Sequence, residues 1–477
     1  MIPAALIAHL QKIVGPAHVL FRPEDVVVYE QDAFLVAHSL PDLVVLPGST
    51  EEVAAVVRIA GEARVPIVAR GAGTGLNGGS IPIRGGVMVV LTRMNRILDL
   101  DAPHRLAVVE PGVVNVDLTT AAAPYGLFYA PDPGSQSVST IGGNVGNNAG
   151  GPHCLSYGVT SNHVLALQVV LASGTVVWVG SHAVDSPGYD LCGLLVGSEG
   201  TLGVVTAVVV RLLRKPEAAR TLLAVFESID DASQTVSDVI AAGIVPTAME
   251  MMDGVVMAAV EASIHAGYPE DAGAVLLIEV EGTQEALPRQ IDRIGEICRR
   301  HELRMLRTAE TEQERLLLWK GRKEGAGALG RLAPSYYLHD GVVPRTKLPE
   351  VMRRVMAIGQ AHDLRIGNLF HAGDGNLHPI ILFNPRERGI MQRVVQAGEE
   401  ILHACVDAGG TITGEHGVGI EKREYMRWLF TDADLQSMQN VKHVFDPGGI
   451  MNPGKLLPVG EPTDLTVKRA VAPGMWT

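Results

Sequence analysis

The chain is poor in charge, in aromatic residues and in cysteine. Of its 477 residues only 19% are charged and 4% are Phe, Trp or Tyr, whereas 47% are hydrophobic. That length and apolar content exceed one ordinary core and supply two or three globular domains. No run of five or six basic residues occurs, and 39 Lys plus Arg stand against 52 Asp plus Glu, a formal charge of -13. This balance argues against a nucleic-acid partner. Cys154, Cys192, Cys298 and Cys405 are widely separated with no Cys-x-x-Cys pair, so neither a disulfide framework nor an iron-sulfur cluster follows from their spacing. A reducing cytoplasm fits them. No uninterrupted apolar stretch reaches membrane-spanning length, and residues 1–19 lack a signal-peptide charge pattern and read as a short amphipathic helix. Any membrane contact is then expected through a partner. Internal repeats and low-complexity segments are also missing.

What the chain has is glycine gathered into a few loops. Residues 42–46 read as a strand, Ser49-Thr50-Glu51-Glu52 as a capping box, and Val53, Val56, Val57 and Ala60 as one helical face. Residues 66–69 make a second strand, which ends in the glycine-rich loop 70–80. Within it, Gly73-Thr74-Gly75-Leu76-Asn77-Gly78 matches the G-x-G-x-x-G dinucleotide pattern. A Rossmann loop must open a helix, however, and here Ser80, Ile81, Pro82, Gly85 and Gly86 lead directly to a strand at 87–91. The glycines read instead as a pyrophosphate nest without a Rossmann helix. Residues 131–151 form a second concentration, too polar and too glycine-rich for a packed element, and are expected to be a ligand-lining loop. Residues 164–171 and 175–179 read as a hairpin. A third glycine loop, 197–203, precedes a strand at 204–213. Three such loops in one region suggest one extended cofactor. After residue 216 the texture changes to ordinary strands and amphipathic helices, such as a strand at 222–226 and a helix at 232–241, and a domain boundary is placed there.

The chemistry is concentrated in His371-Ala372-Gly373-Asp374-Gly375-Asn376-Leu377-His378 and Gly414-Glu415-His416-Gly417. Turn residues between two apolar runs predict a hairpin with one histidine on each arm. Two imidazoles and a carboxylate can hold a divalent ion, Zn²⁺ or Mn²⁺, and a further imidazole, His416, remains as a base. Plain turn histidines and a solvated Glu415 are the alternatives. His153, Cys154 and Cys192, which lie among the glycine loops, read as packing residues.

Taken in order, residues 70–79, 130–151, 197–203, 371–378, 414–419 and 452–455 resemble the vanillyl-alcohol oxidase type of flavoprotein and, within it, the D-2-hydroxy-acid dehydrogenases, which include the flavin subunits of bacterial glycolate oxidases. The resemblance implies an α+β fold: a two-subdomain FAD-binding domain at 1–216, an antiparallel-sheet cap domain at 217–407, and a C-terminal segment at 408–477 that carries a metal ligand and returns to the flavin domain. It implies FAD contacts at Arg70, Gly71, Gly73, Thr74, Gly75, Gly78 and Gly79, then at Pro133, Ser135, Gly142, Asn144 and Asn148, and further at Glu199, Val205 and Asn452. Glu199 and Asn452 read alternatively as caps. Residues 70–80 contain no histidine, so the flavin is expected to be noncovalent. Arg322 matches the position that grips the substrate carboxylate, a task suited to a planar guanidinium.

The implied reaction is oxidation of glycolate or D-lactate to the 2-oxo acid, with hydride passing to flavin. The metal ligands His371, His378 and Glu415 would acidify the hydroxyl, His416 would take its proton, and Asn376 would assist as a substrate donor. A dicarboxylate such as 2-hydroxyglutarate wants another cation, and residues 336–340 offer none, although Lys320, Lys323 and Arg345 are nearby. A D-2-hydroxyglutarate dehydrogenase, a noncatalytic flavin-binding subunit of an electron-transfer complex and a flavin-free metal hydrolase are the competing readings. Flavin and iron-sulfur partner subunits, a homo-oligomer and a cytoplasmic place at the periphery of the inner membrane complete the expectation.

Overall fold

The computed structural model describes residues 2–183, 187–269 and 271–459. Residues 460–477 of the expected C-terminal segment lie outside the described residues. An N-terminal helix, α1 (Ala4–Val14), buries Leu6, Leu10 and Val14 and packs on the helix α2 (Thr50–Glu62). The first sheet holds β1 (Val19–Leu20), β2 (Leu43–Val45), β3 (Ile67–Arg70) and β4 (Val87–Val90) in the order β1-β2-β4-β3. β4 runs parallel to both β2 and β3, and α2 makes the crossover. Val53, Val56, Val57 and Ala60 are the buried face of α2, as its apolar spacing requires. The capping box is shifted by one residue. Ser49 Oγ accepts the Glu52 N–H at 3.3 Å, but the Glu52 carboxylate accepts the Gly48 N–H at 2.6 Å instead of reaching the cap residue. No helix follows β3, so the G-x-G-x-x-G match is not a Rossmann turn.

The second sheet is antiparallel. Its strands are β5 (Ile97–Asp101), β6 (Leu106–Val109), β7 (Val164–Val170), β8 (Val176–Gly180) and β9 (Val204–Arg211), in the order β5-β6-β9-β7-β8. The hairpin expected at 164–179 is β7-β8.

The segment expected to be an irregular loop at 131–151 contains a helix, α3 (Ile141–Asn147). Glycine content was the misleading signal. Thr140 Oγ1 accepts the Gly143 N–H at 3.3 Å and starts the turn, while Ile141 and Val145 bury their side chains in the core of the second sheet. Gly142 is glycine because a Cβ there would lie 2.5 Å from the Pro111 ring. Packing therefore outweighs the roughly 1 kcal/mol that each helical glycine costs relative to alanine.

Residues 218–383 build a nine-stranded sheet. Its elements are β10 (Ala218–Phe226), the helix α4 (Ile229–Ala241), β11 (Ala248–Asp253), β12 (Ala274–Gly282), β13 (Leu303–Thr308), the helix α5 (Glu312–Ala328), β14 (Ser335–Leu338), β15 (Gly341–Val342), β16 (Arg365–His371), β17 (Asn376–Leu377) and β18 (Pro379–Phe383). The path β13-β10-β12-β11-β16-β17-β15 is joined by β18 beside β16 and by β14 beside β18. Both faces are covered: Phe226 and Phe370 belong to one core, Leu329 and Leu369 to another. The chain then returns to the first sheet, where Ile67 N–H donates to Ile450 O at 2.8 Å and Asn452 N–H to Ile67 O at 2.7 Å. Among the described residues no helix is long and apolar enough to cross a membrane.

The close fit of α3 is open to measurement. Gly142→Ala forces a methyl onto Pro111 and is expected to destabilise the protein by about 1–3 kcal/mol, read as a lower midpoint in thermal denaturation; an unchanged midpoint would mean that α3 is free to shift.

Candidate active site

A cavity of about 550 Å³ is bounded by all three glycine loops together with Arg322, His371, His378, Glu415 and His416. Residues separated by more than 300 positions thus share one wall. A Cβ at Gly71 would stand 2.4 Å from Thr140 Oγ1, so the backbone of the first loop closes directly on the hydroxyl that starts α3. Two buried polar atoms of the wall, Ser139 Oγ and Asn144 Nδ2, have no hydrogen-bond partner, which suits a ligand rich in acceptors and donors. Arg70 Nη1 donates to Ser80 Oγ at 3.3 Å, and Asp32 accepts from Ser80 Oγ at 3.2 Å. Asp32 escaped the sequence reading because it lies outside every motif.

Most of the expected contacts lie on this wall, and four do not. Gly78, Asn148, Asn376 and Asn452 are absent from it. Gly78 has φ +71 and faces Ile420. Asn148 adopts a left-handed conformation at the end of α3 and accepts the Ser161 N–H at 2.8 Å. Asn452 Nδ2 donates to Gly79 O at 2.9 Å and Glu199 O at 2.6 Å, so it braces two glycine loops from behind. Asn376 pairs with His371 across the hairpin, and a Cβ on Gly414 would lie 2.6 Å from its amide. Glu199 is on the wall, but its carboxylate is committed to the N–H groups of Val418 and Gly419 and to Asn77 Nδ2. Burial pushes its carboxyl up to about 7. His153, read as a packing residue, lies between Asp132 at 2.9 Å and Glu279 at 3.4 Å. Burial works to lower its pKa, and Asp132 foremost raises it to about 10.

The hairpin places His371 at the last position of β16 and His378 between β17 and β18. Both Nε2 atoms point at one oxygen: Glu415 Oε1 is 2.9 Å from His371 and 3.0 Å from His378. The outer nitrogens settle the tautomers. His378 Nδ1 lies 3.1 Å from the His339 carbonyl oxygen, and His371 Nδ1 lies 2.9 Å from the Glu250 carboxylate. Those oxygens only accept, so each Nδ1 carries the proton and each Nε2 lone pair faces the Glu415 carboxylate. Three electron-rich atoms aimed at one point require a cation or protons between them. In the ion-free state protons serve. Burial works to lower the pKa of His371, but Glu250 and Glu415 raise it well above the ordinary value, and the same rings hold Glu415 well below its own.

Two carboxylates that the motifs did not reveal hold this arrangement. Glu250 is the sole ionisable side chain within the buried strand β11 before its terminal Asp253, and it binds both His371 Nδ1 and Arg322; a lone acid in an apolar run was the available signal. Asp340 is fully buried, and its Oδ2 accepts from Thr413 Oγ1 at 2.6 Å and from the N–H groups of Gly414, Glu415 and His416 at 3.0, 3.3 and 2.9 Å. Lys422 Nζ, also buried, lies 3.3 Å away. The ligand atoms of His371, His378 and Glu415 lie within 4.8 Å of one another, and so do those of Asp340, His378 and His416. The second set is the poorer metal site, because His378 Nδ1 donates its proton to the His339 carbonyl and so has no lone pair for an ion. The His416 ring stacks on His378 with centroids 4.9 Å apart, and burial pushes it down to about 4 despite Asp340.

Residues 41–180 match the FAD binding domain family and residues 215–456 the family of FAD linked oxidases, C-terminal domain. The chain therefore belongs to the FAD-linked oxidases and is an FAD-linked oxidoreductase. Within that family it is 45% identical over 449 residues to the glycolate oxidase subunit GlcD of Escherichia coli (strain K12), covering 94% of this chain and 90% of that one. It is 44% identical over 430 residues to the GlcD of Bacillus subtilis (strain 168), covering 90% and 92%. D-lactate dehydrogenase of Anaerostipes hadrus is 34% identical over 457 residues, covering 93% and 96%. Among solved structures, p-cresol methylhydroxylase with substrate bound superposes with a TM-score of 0.80 at 16% identity over 94% and 96% of the two chains. 4-Ethylphenol oxidase from Gulosibacter chungangensis gives 0.78 at 22% identity over 95% and 97%. These two establish the fold, that of the vanillyl-alcohol oxidase type, and the resemblance read from the motifs is borne out.

Removing the anchor of the 413–416 turn should be costly. Asp340→Asn takes from the buried Lys422 ammonium one of its two carboxylate partners, leaving Glu421 at 3.6 Å, and takes the charge that gathers the turn's N–H groups; it is expected to cost about 3 kcal/mol, measured by chemical denaturation.

Proposed function

We propose that the protein oxidises a small D-2-hydroxy acid, glycolate or D-lactate, to the 2-oxo acid with FAD and a divalent metal. The names of its relatives support the substrate class. The observation that carries the metal is the convergence of two imidazole lone pairs and one carboxylate on a point in the wall of the cavity that the glycine loops line. Residues 70–80, Ser139 and Asn144 would hold FAD noncovalently, and bound FAD supplies the acceptor for the hydride leaving the 2-carbon. His371, His378 and Glu415 would hold Zn²⁺ or Mn²⁺, which supplies a Lewis acid to the hydroxyl. In this reading residues 1–216 cradle the flavin, 217–407 close over it, and the following segment returns Glu415 to the site.

The protein's own groups complete the reaction. Arg322 is buried on the cavity wall beside Glu250, and its Nε has no partner; the guanidinium receives the substrate carboxylate. His416 takes the hydroxyl proton at Nε2, which lies 4.0 Å from Glu415 Oε1. A ring whose pKa is about 4 is a weak base, so it works only on a hydroxyl that has been acidified, and this is a second reason for the metal. Asn376, behind Gly414, acts by positioning the ligand turn. The naming of the relatives as subunits supports partner subunits; in this reading flavin and iron-sulfur partners collect the electrons, and attachment to the inner membrane runs through them.

Anaerobic addition of glycolate or D-lactate is expected to bleach the flavin band at about 450 nm, and an unchanged spectrum would sink the reading. His378→Ala is expected to keep flavin while losing bound metal and at least about 100-fold in kcat; retained turnover would remove the metal from the mechanism. The pH profile gives an independent check. Because the His416 pKa is lowered, its neutral form persists as pH falls, so kcat/KM is expected to stay flat above pH ~5 and to drop near ~4. An acid limb at pH ~6.5, where an unperturbed imidazole titrates, would take the base role from His416.

A further inference from the structure

Beside the carboxylate grip the cavity has a floor without charge. β14, β18 and β16 lie side by side, with Leu338 opposite Ile380 and Ile380 opposite Gly367. Directly opposed residues of antiparallel strands share a face, and so do alternate residues of one strand. Tyr336, Leu338, Leu369 and His371 therefore point the same way, and all four line the cavity. Helix α5 covers that face: a Cβ on Gly325 would lie 3.4 Å from the Leu369 side chain. Ala326, one turn after Arg322 on α5, also lines the cavity. Arg322 and His371 are thus edged by Ala326, Tyr336, Leu338 and Leu369, which belong to or pack against one hydrophobic cluster.

The described lysines and arginines on the cavity wall are Arg70, Arg322 and Lys323, and each is engaged. Arg70 donates to Ser80 in the first glycine loop. Arg322 pairs with Glu250 and faces the reacting carboxylate. Lys323 is held 3.5 Å from Asp132, which also binds His153. A second substrate carboxylate would lie on apolar side chains, with the described cations of the wall already engaged elsewhere, and burying such a charge unpaired is strongly unfavourable. An alkyl group in the same place gains from leaving water.

We propose that this floor receives the substituent on the substrate's 2-carbon and selects 2-hydroxy acids with short aliphatic side chains against dicarboxylates. The inference rests on the oxidase reading above and adds Leu338, Leu369 and Ala326 as specificity-determining residues. The test is kcat/KM for glycolate, D-lactate, D-2-hydroxybutyrate and D-2-hydroxyglutarate with the native holoenzyme. Each added methylene from glycolate to 2-hydroxybutyrate is expected to raise kcat/KM by about fourfold, and D-2-hydroxyglutarate is expected to fall at least about 100-fold below 2-hydroxybutyrate. Reduction by all four acids with a flat series, or with the dicarboxylate preferred, overturns the floor and leaves the oxidase reading standing. Reduction by none overturns both. Leu338→Lys, first checked for bound flavin, is expected to raise the ratio of 2-hydroxyglutarate to 2-hydroxybutyrate kcat/KM by about tenfold, and an unchanged ratio in the flavin-loaded variant also counts against the floor.

Discussion

Two imidazole lone pairs and a carboxylate aimed at one point cannot remain buried without positive charge between them, and much of the surrounding structure exists to hold them there. Glu250 and the His339 carbonyl fix the outer nitrogens of the rings. Asp340 gathers three successive N–H groups and a hydroxyl of the turn that carries Glu415 and His416, and Lys422 balances its charge. Each support is buried, so each keeps its partner in a medium where an unpaired charge is expensive. The two rings and the carboxylate are thereby positioned by the large sheet, through β11, β16 and the residues that directly follow β14, more than by the loops that display them.

The glycine loops obey a different constraint. They must bring backbone close to a ligand and close to one another, and the contacts at Gly71 and Gly142 leave no room for a side chain. Their firmness comes from outside. Asn452 ties Gly79 to Glu199, Lys455 binds the Gly79 and Ile81 carbonyls, and Glu199 holds the Val418 and Gly419 amides. The return of the C-terminal segment to β3 therefore connects the wall of glycine loops to the turn that carries Glu415, and a loop too rich in glycine to order itself is ordered by its neighbours.

The same contrast explains what was readable in advance. His371, His378, Glu415 and His416 stood out because glycine and turn residues frame them, and the failure of the G-x-G-x-x-G match followed from what came after it. The assignment of 131–151 to a loop missed α3, since glycine was read for its freedom and the burial of Ile141 and Val145 was not visible. Asn148, Asn376 and Asn452 carry polar side chains in glycine settings, as true wall residues do, yet they face the protein. Glu250 is marked in the sequence only as a lone acid in an apolar run, and no local pattern marks Asp340 or Asp32, whose partners Lys422 and Ser80 lie 82 and 48 positions away.

Local chemistry was thus determined by the sequence alone: the flavoprotein type, the three glycine loops, the hairpin of histidines and the second imidazole beside Glu415. Tertiary structure alone decided which groups meet, which carboxylates neutralise them, and whether a polar side chain looks into the cavity or away from it. The reason is physical. Turn geometry and helix capping depend on residues a few positions apart, whereas the protonation and orientation of a buried group depend on charges and walls brought to it by folding.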